Sequence, residues 1–205
     1  MSTATEAKAF PIEGASPMVL HFQPVINLSD DQLYEFARTN RDWQIERNQQ
    51  GEITVMPPAG SEASDRNAEL TMQLRMWAKR DGKGTTFDSS GGFVLSNGAM
   101  RSPDAAWVPY AKLEKLTAEQ RKKFPPLCPD FVAELRSESD RLSDLHSKMR
   151  EYIANGTRLG LLIDPVERRI HFYRDDGSVE TQEDPATVSC EPVLPGCVIE
   201  LKEIW

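Results

Sequence analysis

The chain has 205 residues, 39% hydrophobic and 27% charged, which suits one folded domain and excludes a disordered chain. No run approaches the roughly 18 apolar residues a membrane helix needs, and Met1-Ser2-Thr3-Ala4-Thr5-Glu6 lacks the basic start and apolar run of a secretory signal. The net charge of −8 argues against tight non-specific binding to nucleic acid, although four Lys/Arg against ten Asp/Glu from Leu161 onward place most of that excess in the last part of the chain.

Residues 1–28 carry Pro11, Pro17 and Pro24 with little periodicity, and are expected to form an extended, partly ordered arm. Ser29-Asp30-Asp31-Gln32 supplies capping residues for a short helix with Leu33, Phe36 and Ala37 on its inner side. Trp43–Glu46 and Glu52–Met56 alternate in the strand manner around Asn48-Gln49-Gln50-Gly51, which predicts a hairpin ending at Pro57-Pro58. Leu70, Leu74, Trp77 and Ala78 mark an amphipathic helix over 61–79, closed by Gly82 and Gly84.

Phe93-Val94-Leu95, the turn Ser96-Asn97-Gly98 and the run Asp104–Val108 predict a second hairpin. Residues 111–127 read as a polar excursion with the basic run Arg121-Lys122-Lys123. Phe131–Leu135 is a short buried strand. A second helix follows, capped at Ser139-Asp140, striped by Leu142, Leu145, Met149, Tyr152 and Ile153, and ended by Asn155-Gly156. Leu159–Asp164 is another buried strand, and 169–173 with 179–181 flank Asp175-Asp176-Gly177 as a hairpin. The chain closes with weak alternation towards Ile199 and Leu201. Strands interleaved with two good helices imply an α+β fold: a mixed sheet with helices on its faces and extra C-terminal strands.

Three residues stand out chemically. Asp104 opens a strand after Ser102-Pro103. Glu134 sits inside the apolar run 131–135, where a carboxylate is expensive unless paired or bound to a cation. Lys148 lies on the flank of the second helix's stripe, beside Leu145 and Tyr152. Magnesium prefers one or two carboxylates with waters and substrate phosphate, and a lysine beside it can orient water or offset charge in the transition state. These three make a minimal phosphodiesterase site.

Several stretches, in one order, resemble the Uma2 family of bacterial endonucleases within the PD-(D/E)xK restriction-endonuclease-like superfamily. They include Ile45-Glu46-Arg47, Ile53-Thr54-Val55-Met56-Pro57-Pro58, Arg101-Ser102-Pro103-Asp104-Ala105-Ala106-Trp107-Val108, Pro129-Asp130-Phe131-Val132-Ala133-Glu134-Leu135-Arg136-Ser137 and Lys148-Met149-Arg150-Glu151-Tyr152. The resemblance implies a restriction-endonuclease-like core over 29–205, DNA as substrate and Mg²⁺, with Mn²⁺ as a substitute. It implies Asp104 and Glu134 as metal ligands, with Leu135 in the metal set. It implies for Glu46 a contact to a metal-bound water, and for Lys148 the role of a lysine that elsewhere stands two residues after the second acid. Here Arg136 holds that place, which departs from the pattern.

The remaining candidates read as structural: Asp130 at the start of its strand, Asp164 before Pro165, and His146 and His171 in packing. No serine or cysteine is set beside a histidine as in a triad hydrolase, and no glycine-rich phosphate loop occurs. Arg66, Arg75, Lys79, Arg80, Lys83 and the run 121–123 are candidates for phosphate contacts. Cys128, Cys190 and Cys197 are odd in number without CxxC spacing, which suits a reducing cytoplasm. Cutting both strands of a duplex would call for a homodimer. Two other readings compete: a catalytically silent nuclease-like module that binds nucleic acid or protein, and a metal phosphohydrolase for a small substrate.

Overall fold

The computed structural model describes residues 17–205. Of the arm expected over 1–28, residues 1–16 lie outside the described residues. The rest contains β1 (Met18–Leu20), which adds to the edge of the first sheet.

Helix α1 (Asp30–Thr39) starts where the sequence predicts, on a reciprocal cap between Ser29 and Gln32. The predicted hairpin is β2 (Gln44–Arg47) and β3 (Ile53–Met56). Helix α2 (Ser61–Asp81) runs two residues past the expected end, until Gly82 takes a left-handed φ of 71°. Next come β4 (Gly84–Asp88), β5 (Phe93–Val94), β6 (Met100–Arg101), β7 (Ala105–Pro109), the short α3 (Tyr110–Leu113) and β8 (Phe131–Leu135). Helix α4 (Leu142–Ala154) leads to β9 (Leu159–Asp164), β10 (Arg169–Arg174), β11 (Val179–Glu183), β12 (Thr187–Ser189) and β13 (Val198–Glu200).

Among the described residues the strands form three sheets. The first has the order β1-β3-β2-β6-β5, the second β11-β10-β9-β8-β7-β4, and the third is the β12-β13 pair. In the second sheet only β8 and β9 run parallel, joined by the α4 crossover. The expected mixed sheet is therefore present, flanked by α2 and α4, with extra C-terminal strands.

The second predicted hairpin needs correcting. Phe93 and Val94 do fold back across Ser96-Asn97-Gly98, but they pair with Arg101 and Met100. The run 105–109 instead lies in the second sheet, between β4 and β8. Pro103 explains the break, because it has no N–H to continue a ladder. The chain changes sheets at Ser102-Pro103-Asp104. The β4 strand was not anticipated; Thr85-Thr86-Phe87 is too short a run to show a period of two.

Alternation along the central strands separates two cores. Ala105, Trp107, Phe131, Ala133, Leu159, Leu161 and Ile163 face α2, through Leu70, Leu74 and Trp77. Ala106, Val108, Val132 and Leu162 face α4, through Met149 and Tyr152. Each large side chain so buried contributes about 1.5–3 kcal/mol. Gly160 leaves room for the Met149 methyl, which a Cβ there would meet at 2.5 Å. Because Glu134 shares parity with Val132, the strand turns it towards α4, and a one-residue slip would send it into the α2 core.

Candidate active site

The β7–β8 register pairs Ala105 with Ala133. Carried one residue beyond the ladder, that register brings Asp104 opposite Glu134, at the point where the chain enters β7. The ladder is locked there by a side chain: the Leu135 N–H donates to Asp104 Oδ2 at 2.7 Å. Helix α2 reaches the same point through Asn67, whose Nδ2 donates to Asp104 Oδ1 at 3.3 Å.

Glu134 is buried. Tyr152 Oη donates to its Oε1 at 2.9 Å, and Lys148 Nζ lies 2.9 Å from Oε1 and 3.0 Å from Oε2. Lys148 and Tyr152 are one helical turn apart, so both point from α4 to the same carboxylate. Glu46 arrives from β2 in the other sheet. Its Oε1 lies 2.8 Å from Lys148 Nζ and accepts from the Ser102 N–H at 2.9 Å, while its Oε2 accepts from Arg101 at 3.0 Å. Arg101 also bonds Glu151 at 2.6 Å. Asp104, Glu134, Lys148 and Glu46, the four proposed from sequence, thus meet where the chain crosses between sheets.

Electrostatically the cluster is short of positive charge. Burial pushes the Asp104 carboxyl up to about 6, with only the Leu135 N–H and Lys148 working against it. Burial also pushes Glu134 up to about 8; Lys148 opposes this, while Asp104 and Glu46 add like charge. Burial acts on Glu46 as well, but Lys148 and Arg101 more than offset it and hold that carboxyl below its ordinary value. Burial would lower Lys148, yet Glu134 and Glu46 keep it firmly protonated. One ammonium is shared by competing carboxylates.

A divalent cation fits this donor set. The available groups are oxygens on two adjacent strands, and Asn67 Oδ1 is a buried acceptor beside Asp104 with no partner among the described residues. Among those residues no group of three or more His, Cys, Asp or Glu is placed to hold a metal ion. Leu135 contributes no side-chain donor, so only its main chain can take part.

The other sequence assignments resolve as follows. Arg136 turns away from the site and bonds the fully buried Asp164 at 2.6 Å. Asp164 Oδ1 also accepts from the N–H groups of Val166 and Glu167, so Asp164 shapes a turn, as the sequence suggested. Asp130, at the far end of β8, pairs with Lys112 at 2.6 Å. His146 and His171 pack edge to face, their ring centroids 4.9 Å apart. Sequence reasoning missed Asn67, Arg101 and the Tyr152 hydroxyl. Tyr152 had a usable signal: a hydroxyl four residues after a candidate lysine lies on that lysine's side of the helix.

A mixed sheet with two facing helices and acids at a strand crossover defines a nuclease-like fold. It is similar to the crystal structure of a protein described as a "putative nuclease belonging to DUF820" from Anabaena variabilis ATCC 29413, with a TM-score of 0.66 and 17% identity over 78% of this chain and 88% of that one. Residues 30–202 match the Uma2 family, described as "Putative restriction endonuclease", and the chain belongs to that family. No curated protein matches it.

Proposed function

We propose that this chain is a divalent-metal-dependent endonuclease that hydrolyses phosphodiester bonds in DNA, with residues 29–205 as its catalytic domain. The observation that carries this reading is the convergence of Asp104, Glu134 and Lys148, from three separate elements, at the crossover between sheets. Asp104, Glu134 and the main-chain carbonyl of Leu135 would hold Mg²⁺, or Mn²⁺ in its place. When bound, the ion offsets charge on the phosphoryl oxygens and acidifies nearby water.

The chain's own groups do the rest. Lys148 donates to the attacking water or to the charge developing on phosphate. Glu46 keeps Lys148 charged and oriented, and is in reach of a water in the same space. Tyr152 fixes the Glu134 rotamer, and the Leu135 N–H fixes that of Asp104. Arg66, next to Asn67 on α2, and the exposed Arg121 and Lys122 supply phosphate contacts that are salt-sensitive and independent of sequence. Three unbridged cysteines suit the reducing cytoplasm, and a homodimer suits cleavage of both strands.

The test is cleavage of supercoiled and single-stranded DNA by purified protein with Mg²⁺, Mn²⁺ or EDTA, beside Glu134→Gln and Lys148→Ala. Metal-dependent nicking lost in both variants supports the whole assignment. Loss in Glu134→Gln alone keeps the metal site and removes Lys148 from the chemistry. No cleavage of either form by folded protein rejects nuclease activity.

One observation favours a second reading, a silent nucleic-acid- or protein-binding module. Both Glu134 oxygens already have partners in Lys148 and Tyr152, so Glu134 is satisfied by the chain's own donors. Such a module would bind without Mg²⁺ and tolerate Glu134→Gln.

A further inference from the structure

We propose that the outer face of α2 is a two-fold interface, on which α2 of a second copy of this chain packs antiparallel. Met72 and Met76, one turn apart on that face, are 47% and 54% exposed. Val198, 52% exposed, lies on β13, which is tied to the flank of α2 by paired hydrogen bonds between Gln73 and the Glu200 main chain. Among the described residues nothing covers this face.

Charge is arranged along it with a polarity that selects the partner. At about 100° per residue, Glu62, Asp65, Met72, Met76, Lys79 and Arg80 fall within one stripe of the helix. The acids lie towards its N-terminus, the methionines in the middle and the bases towards its C-terminus. A parallel copy would set acid on acid and base on base. An antiparallel copy centred on Met72 sets Asp65 against Lys79, since each lies seven residues from Met72 and on opposite sides of its direction. The surface is therefore complementary to itself under a two-fold rotation, the symmetry of an isologous dimer.

Lys79 is also badly placed for the candidate active site. It stands twelve residues beyond Asn67, about 18 Å along the helix, too far to touch a phosphate held at Asp104. Asn67 itself lies five residues from the proposed axis, so the two copies of the site would stand about 15 Å apart along the helix direction. The value of that spacing, two cuts on one duplex, rests on the nuclease reading; the interface does not.

The test is the mass of the full-length protein by light scattering or sedimentation across a concentration series. The expected result is a dimer whose dissociation constant rises about tenfold or more in Asp65→Lys and again in Lys79→Asp. Mixing these two single variants should restore association as a one-to-one heterodimer, and Asp65→Lys/Lys79→Asp in one chain should dimerise. Met72→Cys should yield a disulfide-linked dimer under mild oxidation, because this position faces itself. A monomer at every concentration to about 100 μM, or a dimer indifferent to both charge reversals, overturns the proposal. Mass is read without DNA, so failure here leaves the nuclease reading standing, and loss of cleavage in Glu134→Gln leaves the dimer standing.

Discussion

Lys148 Nζ stands 2.9 Å from Glu134 Oε1, across the joint between helix α4 and strand β8. Its other partner, Glu46, belongs to the neighbouring sheet, 2.8 Å away. A single ammonium therefore fastens α4 to both sheets, and it is the main counter-charge for the acids there.

Lys148→Met keeps the volume of the side chain and removes its charge. The expected loss is about 1–3 kcal/mol of stability, because Glu134 and Glu46 lose a buried donor while Glu46 keeps Arg101. Urea unfolding at pH 7 measures it. A loss under about 1 kcal/mol would show that water already solvates this cluster.

Glu134 predicts a pH dependence opposite in sign to that of an ordinary paired carboxylate. Its carboxyl titrates near 8 in the fold against an ordinary 4.5. Between those values the folded protein holds a proton that the unfolded chain has released, so metal-free stability falls as pH rises through this window. Asp104, raised to about 6, acts in the same direction at lower pH. Glu134→Gln should thus raise the Tm of metal-free protein at pH 8 and leave it nearly unchanged at pH 4.5. Mg²⁺ should raise wild-type Tm more at pH 8 than at pH 6, because its ligands must be deprotonated. Equal increments at both values would remove these acids from the metal site.

Arg136 occupies the position where a lysine is usual, but its partner is Asp164. In the background of Lys148→Ala, Arg136→Lys should not restore cleavage, since residue 136 is held away from the acids. Arg136→Ala should instead destabilise the protein by about 3 kcal/mol by orphaning a buried carboxylate. Recovery of cleavage in the double variant would return the catalytic lysine to position 136.

Tyr152→Phe deletes one hydroxyl from the site. A stability loss of about 1–2 kcal/mol is expected from Glu134 Oε1 losing its donor. If the hydroxyl positions Glu134, the Mg²⁺ concentration needed for half-maximal cleavage should rise. A purely structural hydroxyl would lower stability and leave that concentration unchanged.

Much of the architecture was legible because its signals are local. The capping box at Ser29 and Gln32, the apolar spacing of Leu70, Leu74 and Trp77, and the turns at 48–51 and 175–177 each act within a few residues. Glu134 was legible for the same reason, as a carboxylate in a strand that is otherwise apolar. Short elements were not: β4, and the division of 93–108 between two sheets, depend on partners far along the chain.

The sequence by itself determined the three long helices, the buried strands 131–135 and 159–164, and the carboxylate of Glu134 as too costly to bury without a counter-charge. Tertiary structure decided the rest. It drew Glu46 and Lys148, 102 residues apart, to within 2.8 Å. It spent Arg136 on Asp164 and left Lys148 for Glu134. It set the Leu135 N–H on Asp104 and the Tyr152 hydroxyl on Glu134. The physical reason is that periodicity fixes the face on which a side chain emerges, whereas its partner depends on sheet order, set here in part by the Pro103 break.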